Sequence, residues 1–136
     1  MYDKILVPMA LDHGLSPQTL KIARTLCNPG KMITALHVYE VPKSTVSVYI
    51  GEEIVEQGFI RARALLHEKI SGIEGVKAEM TRGQAHRAIT DYAIKHGFDC
   101  IVIGSHKPDL RDYLIGSTAA RVVRHAPCAV HVHRDI

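Results

Sequence analysis

The chain has no tryptophan, and aromatic residues make up only 5% of its 136 residues. So little ring surface leaves no material for the stacking platforms on which single-stranded nucleic acids are held. Cysteine is scarce too. Cys27, Cys100 and Cys128 are odd in number and far apart, which fits neither a disulfide framework nor a CxxC metal pattern; a reducing cytoplasm is their simplest setting. Excess charge is small, at +3 with histidine neutral, and does not by itself imply a polyanionic partner. No apolar run approaches the ~20 residues that span a bilayer. The opening "MYDKILVPMALDHG" puts an acid and a lysine before a very short apolar run, which argues against a secretory signal. Neither a membrane nor a nucleic acid is therefore expected as a partner. Hydrophobic residues at 46% and charged residues at 23% are ordinary for a globular chain, and residues 1–136 suit one domain with a real core.

Strand and helix signals alternate through the sequence. "KILVPM" is a near-continuous apolar run, the pattern of a strand covered on both faces. Ser16 then offers a cap and Pro17 takes the first helical position, with Leu20, Ala23 and Cys27 at helical spacing until Asn28-Pro29-Gly30 stops the helix. "MITALHVYE" is the second strand, and residues 41–50 are irregular. From about Glu52 to Ser71 the helical period returns, with Ile54, Phe59, Ala62, Leu66 and Ile70 expected on one face. A short strand at "VKAEMTRG" leads to a helix with Ala85, Ala88, Ile89, Tyr92 and Ala93 inward. "DCIVIG", a loop, a helix through Ala119, Val122, Val123 and Ala126, and a last strand "CAVHVH" follow. This order predicts an α/β fold: an open five-stranded parallel sheet with right-handed crossovers and helices on both faces. Ligands of such sheets bind at the C-terminal strand ends, near the point where strand order reverses. Pro8-Met9-Ala10, Val38-Tyr39 and Gly104-Ser105-His106 all fall at ends of this kind.

The stretch "GSHKPDLRDYLIGST", residues 104–118, brackets a basic loop between two Gly-hydroxyl pairs. Backbone N–H groups of Gly104, Ser105 and His106, with the Lys107 ammonium, can hold a polyphosphate; the alternative is a turn that needs glycine for its own sake. Gly116, Ser117 and Thr118 open a helix whose free N–H groups and dipole favour an anion, unless Ser117 simply caps it. His106 is placed to donate to a phosphate or ribose oxygen, but no second group is evident to orient a water, and no catalytic residue is assigned. His131 and His133 share a face of the last strand with His125 nearby, yet no carboxylate or cysteine completes a closed site, so no metal is expected. Cys128 reads as a small core residue.

"KILVPM", "ALHVYE", "RGQAHRAITDYA" and "IVIGSHKPDLRDYLIGSTAARVVRHAPCAVHV" together resemble the universal stress protein family over nearly the whole chain. Members divide into those that bind ATP and those that do not. The ATP-binding pattern is Gly-x2-Gly-x9-Gly-Ser/Thr; here Gly104 and Gly116-Ser117 match its ends, while Lys107 replaces the middle glycine and the loop is one residue short. The variant is similar to a subgroup reading Ser-His-Arg/Lys-Pro-Asp, in which the lysine supplies charge where others supply bare backbone. Ala10 stands where many members carry an aspartate near the adenosine, and Asp12 is two residues away. The resemblance implies that ATP, ADP or AMP binds with Mg²⁺ held by phosphate oxygens and water. Pro8, Met9 and Val38 would line the adenosine pocket and Arg82-Gly83 would shape its ribose side. It also implies a cytoplasmic homodimer formed through the C-terminal strand, in which His131 and His133 would meet their counterparts, and an outcome read by another protein. Two rival readings stand beside it: a nucleotide-free dimeric interaction module, and a slow ATPase or nucleotidyl-type enzyme.

Overall fold

A computed structural model describes residues 1–40, 51–105 and 115–134. Strands and helices alternate as β1 (Ile5–Pro8), α1 (Pro17–Leu26), β2 (Ile33–Tyr39), α2 (Glu52–Ile70), β3 (Val76–Arg82), α3 (Ala85–His96), β4 (Cys100–Ser105), α4 (Ser117–His125) and β5 (Ala129–Arg134). The sheet is wholly parallel and ordered β3-β2-β1-β4-β5. A single register row, Val76, Ile33, Ile5, Cys100 and Ala129, crosses it from edge to edge.

The continuous apolar run of β1 follows from its central place. Ile5, Leu6 and Val7 are all fully buried, because helices cover both faces of the sheet. Ile5 and Val7 meet Ile33, Cys100, Val102 and Ala23 of α1. Leu6 on the opposite face meets Leu36, Ile101 and Ile103 beneath Ile89 and Ala93 of α3 and Ala119 and Val122 of α4. Leu66 and Ile70 of α2 close the first face against Met9 and Ala35. Among the described residues no helix is long and apolar enough to cross a membrane.

Two helical faces differ from expectation by one position. Ile54 is 55% exposed, and Val55, Phe59, Ala62, Leu66 and Ile70 form the inward line instead. At about 100° per residue, Ile54 lies roughly 140° around the helix from Phe59, whereas Val55 lies within about 40° of it. Val123 is likewise 49% exposed beside fully buried Val122. β5 is an edge strand: Val130 and Val132 lie half-buried against the α3–α4 side, while Ala129 and His131 are exposed. Just before it, Cys128 is half-buried in the same cluster. Burial raises the Cys128 thiol pKa and pushes that of Cys100 up to about 11, so both stay protonated and unreactive at neutral pH.

Tyr39, at the end of β2, holds the start of α2. Its hydroxyl donates to the Val55 carbonyl at 3.3 Å, and its ring meets Phe59 edge-on at 5.7 Å. Arg82 lies 4.0 Å over the Phe59 ring and pairs with Glu56 at 2.6 Å. Gly58 admits the Tyr39 ring, since a Cβ there would lie 2.3 Å from its hydroxyl oxygen. Alanine would raise helix propensity by about 1 kcal/mol, but the collision outweighs that gain. Gly58→Ala is therefore expected to destabilise the protein by about 1–2 kcal/mol, with Tyr39→Phe recovering part of the loss in a double-mutant cycle followed by urea unfolding. A Gly58→Ala protein more stable than its parent would show that Tyr39 moves aside freely.

Candidate functional site

The chain leaves β1 towards β2 on one side and leaves β4 towards β5 on the other. The helices that follow β1 and β4 thus diverge, and a crevice opens at the C-terminal ends of these two strands. A cavity of about 560 Å³ occupies it, within the ~300–1,000 Å³ typical of small-ligand sites.

Its first wall is the chain that continues β1. The Met9 N–H donates to the Leu36 carbonyl at 2.9 Å, so Pro8, Met9 and Ala10 run on beside β2 into the lining. The Ala10 carbonyl then accepts from the Gly14 N–H at 2.9 Å, with Gly14 in the left-handed region at φ +67°, a turn that glycine adopts without steric cost. This brings His13 into the lining as well. Ser16 ends the wall by accepting the Thr19 N–H at 3.1 Å, which caps α1. Val38 lines the β2 side. There the imidazole of His37 is fixed by a 3.1 Å hydrogen bond between Nδ1 and the Met9 carbonyl, and Glu40 accepts the Ala85 N–H at 3.0 Å, capping α3.

The opposite wall joins the two ends of the 104–118 stretch. Gly104 and Ser105 end β4, and Gly116, Ser117 and Thr118 begin α4; all five line the cavity. The Gly116 N–H donates to Ser105 Oγ at 3.1 Å, which holds the start of α4 against the end of β4. Gly116, the N-cap residue, contributes no side-chain cap, and Ser117, considered for that role, is already the first helical residue. Among the described residues no side chain takes up the N–H groups of that first turn, the groups that anions favour at a helix start. A Cβ on Gly104 would meet no atom within 4 Å, so the backbone there borders open space.

Nine of the eleven site residues expected from the sequence, namely Pro8, Met9, Ala10, Val38, Gly104, Ser105, Gly116, Ser117 and Thr118, thus surround one cavity. The other two, His106 and Lys107, lie outside the described residues. Asp12 is exposed, 3.5 Å from His13, and is absent from the lining. Arg82 is committed to Glu56 and Phe59 rather than to the cavity. Sequence reasoning missed His13, Glu40 and His133. His133 is 8% exposed and lines the cavity, whereas His131, on the same face of β5, is exposed. Within one chain, one of the two is therefore covered and the other open. Only the register that sets His133 beside Gly104 reveals this. Beyond the rim, burial and then Arg121 and Arg87 lower the pKa of His86, against a smaller opposing effect of Glu40. Among the described residues no cluster of three or more His, Cys, Asp or Glu side chains could hold a metal ion.

A family model described as the universal stress protein family matches residues 1–134. The universal stress protein of Methanothermobacter thermautotrophicus is 26% identical, over 100% of this chain and 98% of its own length. The solved structure of universal stress protein UspA from Lactobacillus plantarum is 25% identical, with a TM-score of 0.70 over 98% of each chain. Two further structures share the fold at 18% identity. One is a universal stress protein in complex with cAMP, with a TM-score of 0.60 over 98% of this chain and 97% of that one. The other is an Arabidopsis thaliana protein of the family with AMP bound, with a TM-score of 0.59 over 98% of this chain and 92% of that one.

Proposed function

The chain belongs to the universal stress protein family, and on that premise we propose that its cavity binds an adenine nucleotide, ATP, ADP or AMP, in a regulatory role with slow hydrolysis at most. The observation that carries this reading is the Ser105–Gly116 hydrogen bond. It sets the start of α4, whose N-cap Gly116 has no side chain, next to the end of β4, where Gly104 offers bare backbone, on the wall of a nucleotide-sized cavity. The cAMP and AMP complexes of fold neighbours support the choice of adenine.

In this reading Pro8, Met9, Ala10 and Val38 hold the nucleoside, and Gly104, Ser105, Gly116, Ser117 and Thr118 hold the phosphates. His106 and Lys107, on the same loop, add a donor and a charge. Glu40 is the single carboxylate of the described lining and already serves α3, so Mg²⁺ would be held by phosphate oxygens and water. The protein would be a single cytoplasmic domain that pairs through the free edge of β5, and a protein partner would read the occupied form.

Isothermal titration with adenosine, AMP, ATP and GTP tests this. The adenine ligands should bind, with GTP at least about tenfold weaker. Phosphate release from Mg-ATP should stay far below the ~10 s⁻¹ of a typical enzyme. No binding of any adenine ligand would leave the nucleotide-free interaction module; robust multiple turnover would make the protein an ATPase.

A further inference from the structure

We propose that His37 selects adenine over guanine and hypoxanthine, its Nε2 accepting a hydrogen bond from the 6-amino group of the bound base. This rests on the adenine-nucleotide reading of the cavity and names the side chain that gives it a base preference. The 3.1 Å contact between Nδ1 and the Met9 carbonyl fixes the tautomer. A carbonyl oxygen only accepts, so Nδ1 carries the hydrogen and Nε2 of the neutral ring presents a lone pair. Among the described residues no group bonds Nε2, and no buried side-chain nitrogen or oxygen is left without a partner. Nε2 is therefore not sealed inside the protein. It opens to the space that the half-buried ring borders, and His37 lines the cavity.

Successive side chains of a strand point to opposite faces. Val38 packs with Leu36 on the α3–α4 side, so His37 points with Ala35 to the side of α1 and α2. The cavity reaches both sides, since Ser16 and Thr19 at the start of α1 line it together with Ile89 and Ala119 from the other face. It passes over the end of the sheet. A base lying across that end, against Met9 and Val38, turns one edge to the side where His37 stands. Other polar side chains of this part of the lining are engaged. Ser16 Oγ accepts the Thr19 N–H and lies 3.0 Å from Thr19 Oγ1, Glu40 accepts the Ala85 N–H, and His13 lies against Asp12. Pro8, Met9, Ala10 and Val38 carry no side chain that donates or strongly accepts. Adenine offers an amino donor at position 6, where guanine has a carbonyl acceptor, as has hypoxanthine. An acceptor set against Nε2 leaves two lone pairs facing each other and both unsatisfied, which costs more than the bond to adenine gains.

The test compares wild type with His37→Asn by titration at about pH 8, above the ordinary titration range of histidine. The asparagine amide reaches as far as Nδ1, so it keeps a donor for the Met9 carbonyl and removes Nε2. The ligands are AMP, purine riboside 5′-monophosphate and IMP, which carry an amino group, a hydrogen and a carbonyl oxygen at position 6. Wild type should bind AMP about fivefold tighter than the purine riboside and about thirtyfold tighter than IMP. In His37→Asn the three should lie within about threefold of one another. In wild type, the NMR signal of the unprotonated Nε2 should move on adding AMP and much less on adding the purine riboside, a reading that holds even if the variant folds poorly. A wild-type order kept intact in His37→Asn, or an equal loss of all three ligands, would overturn the proposal; the equal loss would leave His37 only a support for Met9. Wild type that binds all three alike would overturn it too, with the nucleotide reading still standing. A folded wild type that binds none of them would overturn both.

Discussion

Gly104→Val should weaken nucleotide binding by about a hundredfold while leaving the fold in place. Gly104 belongs to β4 and pairs with His133. It is not among the glycines with positive φ, so a β-branched residue suits its backbone. Nothing within 4 Å opposes a Cβ, in contrast to Gly58, where a Cβ would strike Tyr39. The space that receives the valine borders the wall where phosphates would approach the backbone. Two added methyl groups would keep them from the N–H groups at the start of α4. Affinity for AMP and ATP should fall by about a hundredfold, equivalent to about 2.7 kcal/mol, with the thermal midpoint within about 2 °C of wild type. Gly104→Ala should give an intermediate loss. Titration calorimetry and circular dichroism read the two effects separately. Unchanged affinity in a folded Gly104→Val protein would place the ligand elsewhere.

The sequence carried the parts of this protein that depend on local chemistry. An unbroken apolar run announces a strand covered on both sides, and β1 at the centre of the sheet is that strand. Ser16 before Pro17 announces a helix start, and Ser16 caps α1. Glycines at a strand end and a helix start announce a backbone-lined site, and both ends of that stretch meet across one hydrogen bond. Legibility stopped where the answer depends on contacts between distant segments. Ile54 and Val55 are adjacent and both apolar, so a choice between them depends on where β2 delivers Tyr39 to α2. His131 and His133 share a face of one strand and are indistinguishable by period. What separates them is that β4 ends in the cavity and the register carries His133 there with it. Glu40 follows the same rule: its place at the cavity edge comes from capping a helix that begins at residue 85.

Leu66→Ala should cost about 3 kcal/mol of stability, within the range for emptying a fully buried leucine site, whereas Ile54→Ala should stay within about 0.5 kcal/mol of wild type. Leu66 has no exposed surface and packs with Ile70, Met9 and Ala35, the contacts that seat α2 on the sheet. Ile54 is more than half exposed. Urea unfolding should show a lower midpoint for Leu66→Ala at unchanged slope, the sign of lost stability without a change in the surface exposed on unfolding. The effect should also reach the site. Met9 is the residue that carries β1 into the cavity wall, and Leu66 is part of what holds it from behind. A void behind Met9 gives its side chain alternative positions, and a nucleoside seated against it loses an ordered surface. Adenosine affinity should therefore fall several-fold in folded Leu66→Ala, about 1 kcal/mol, and remain at the wild-type value in Ile54→Ala. If the two variants lost equal stability, the inward face of α2 would be wrongly assigned. If Leu66→Ala lost stability but kept full adenosine affinity, Met9 would hold its place without support from α2.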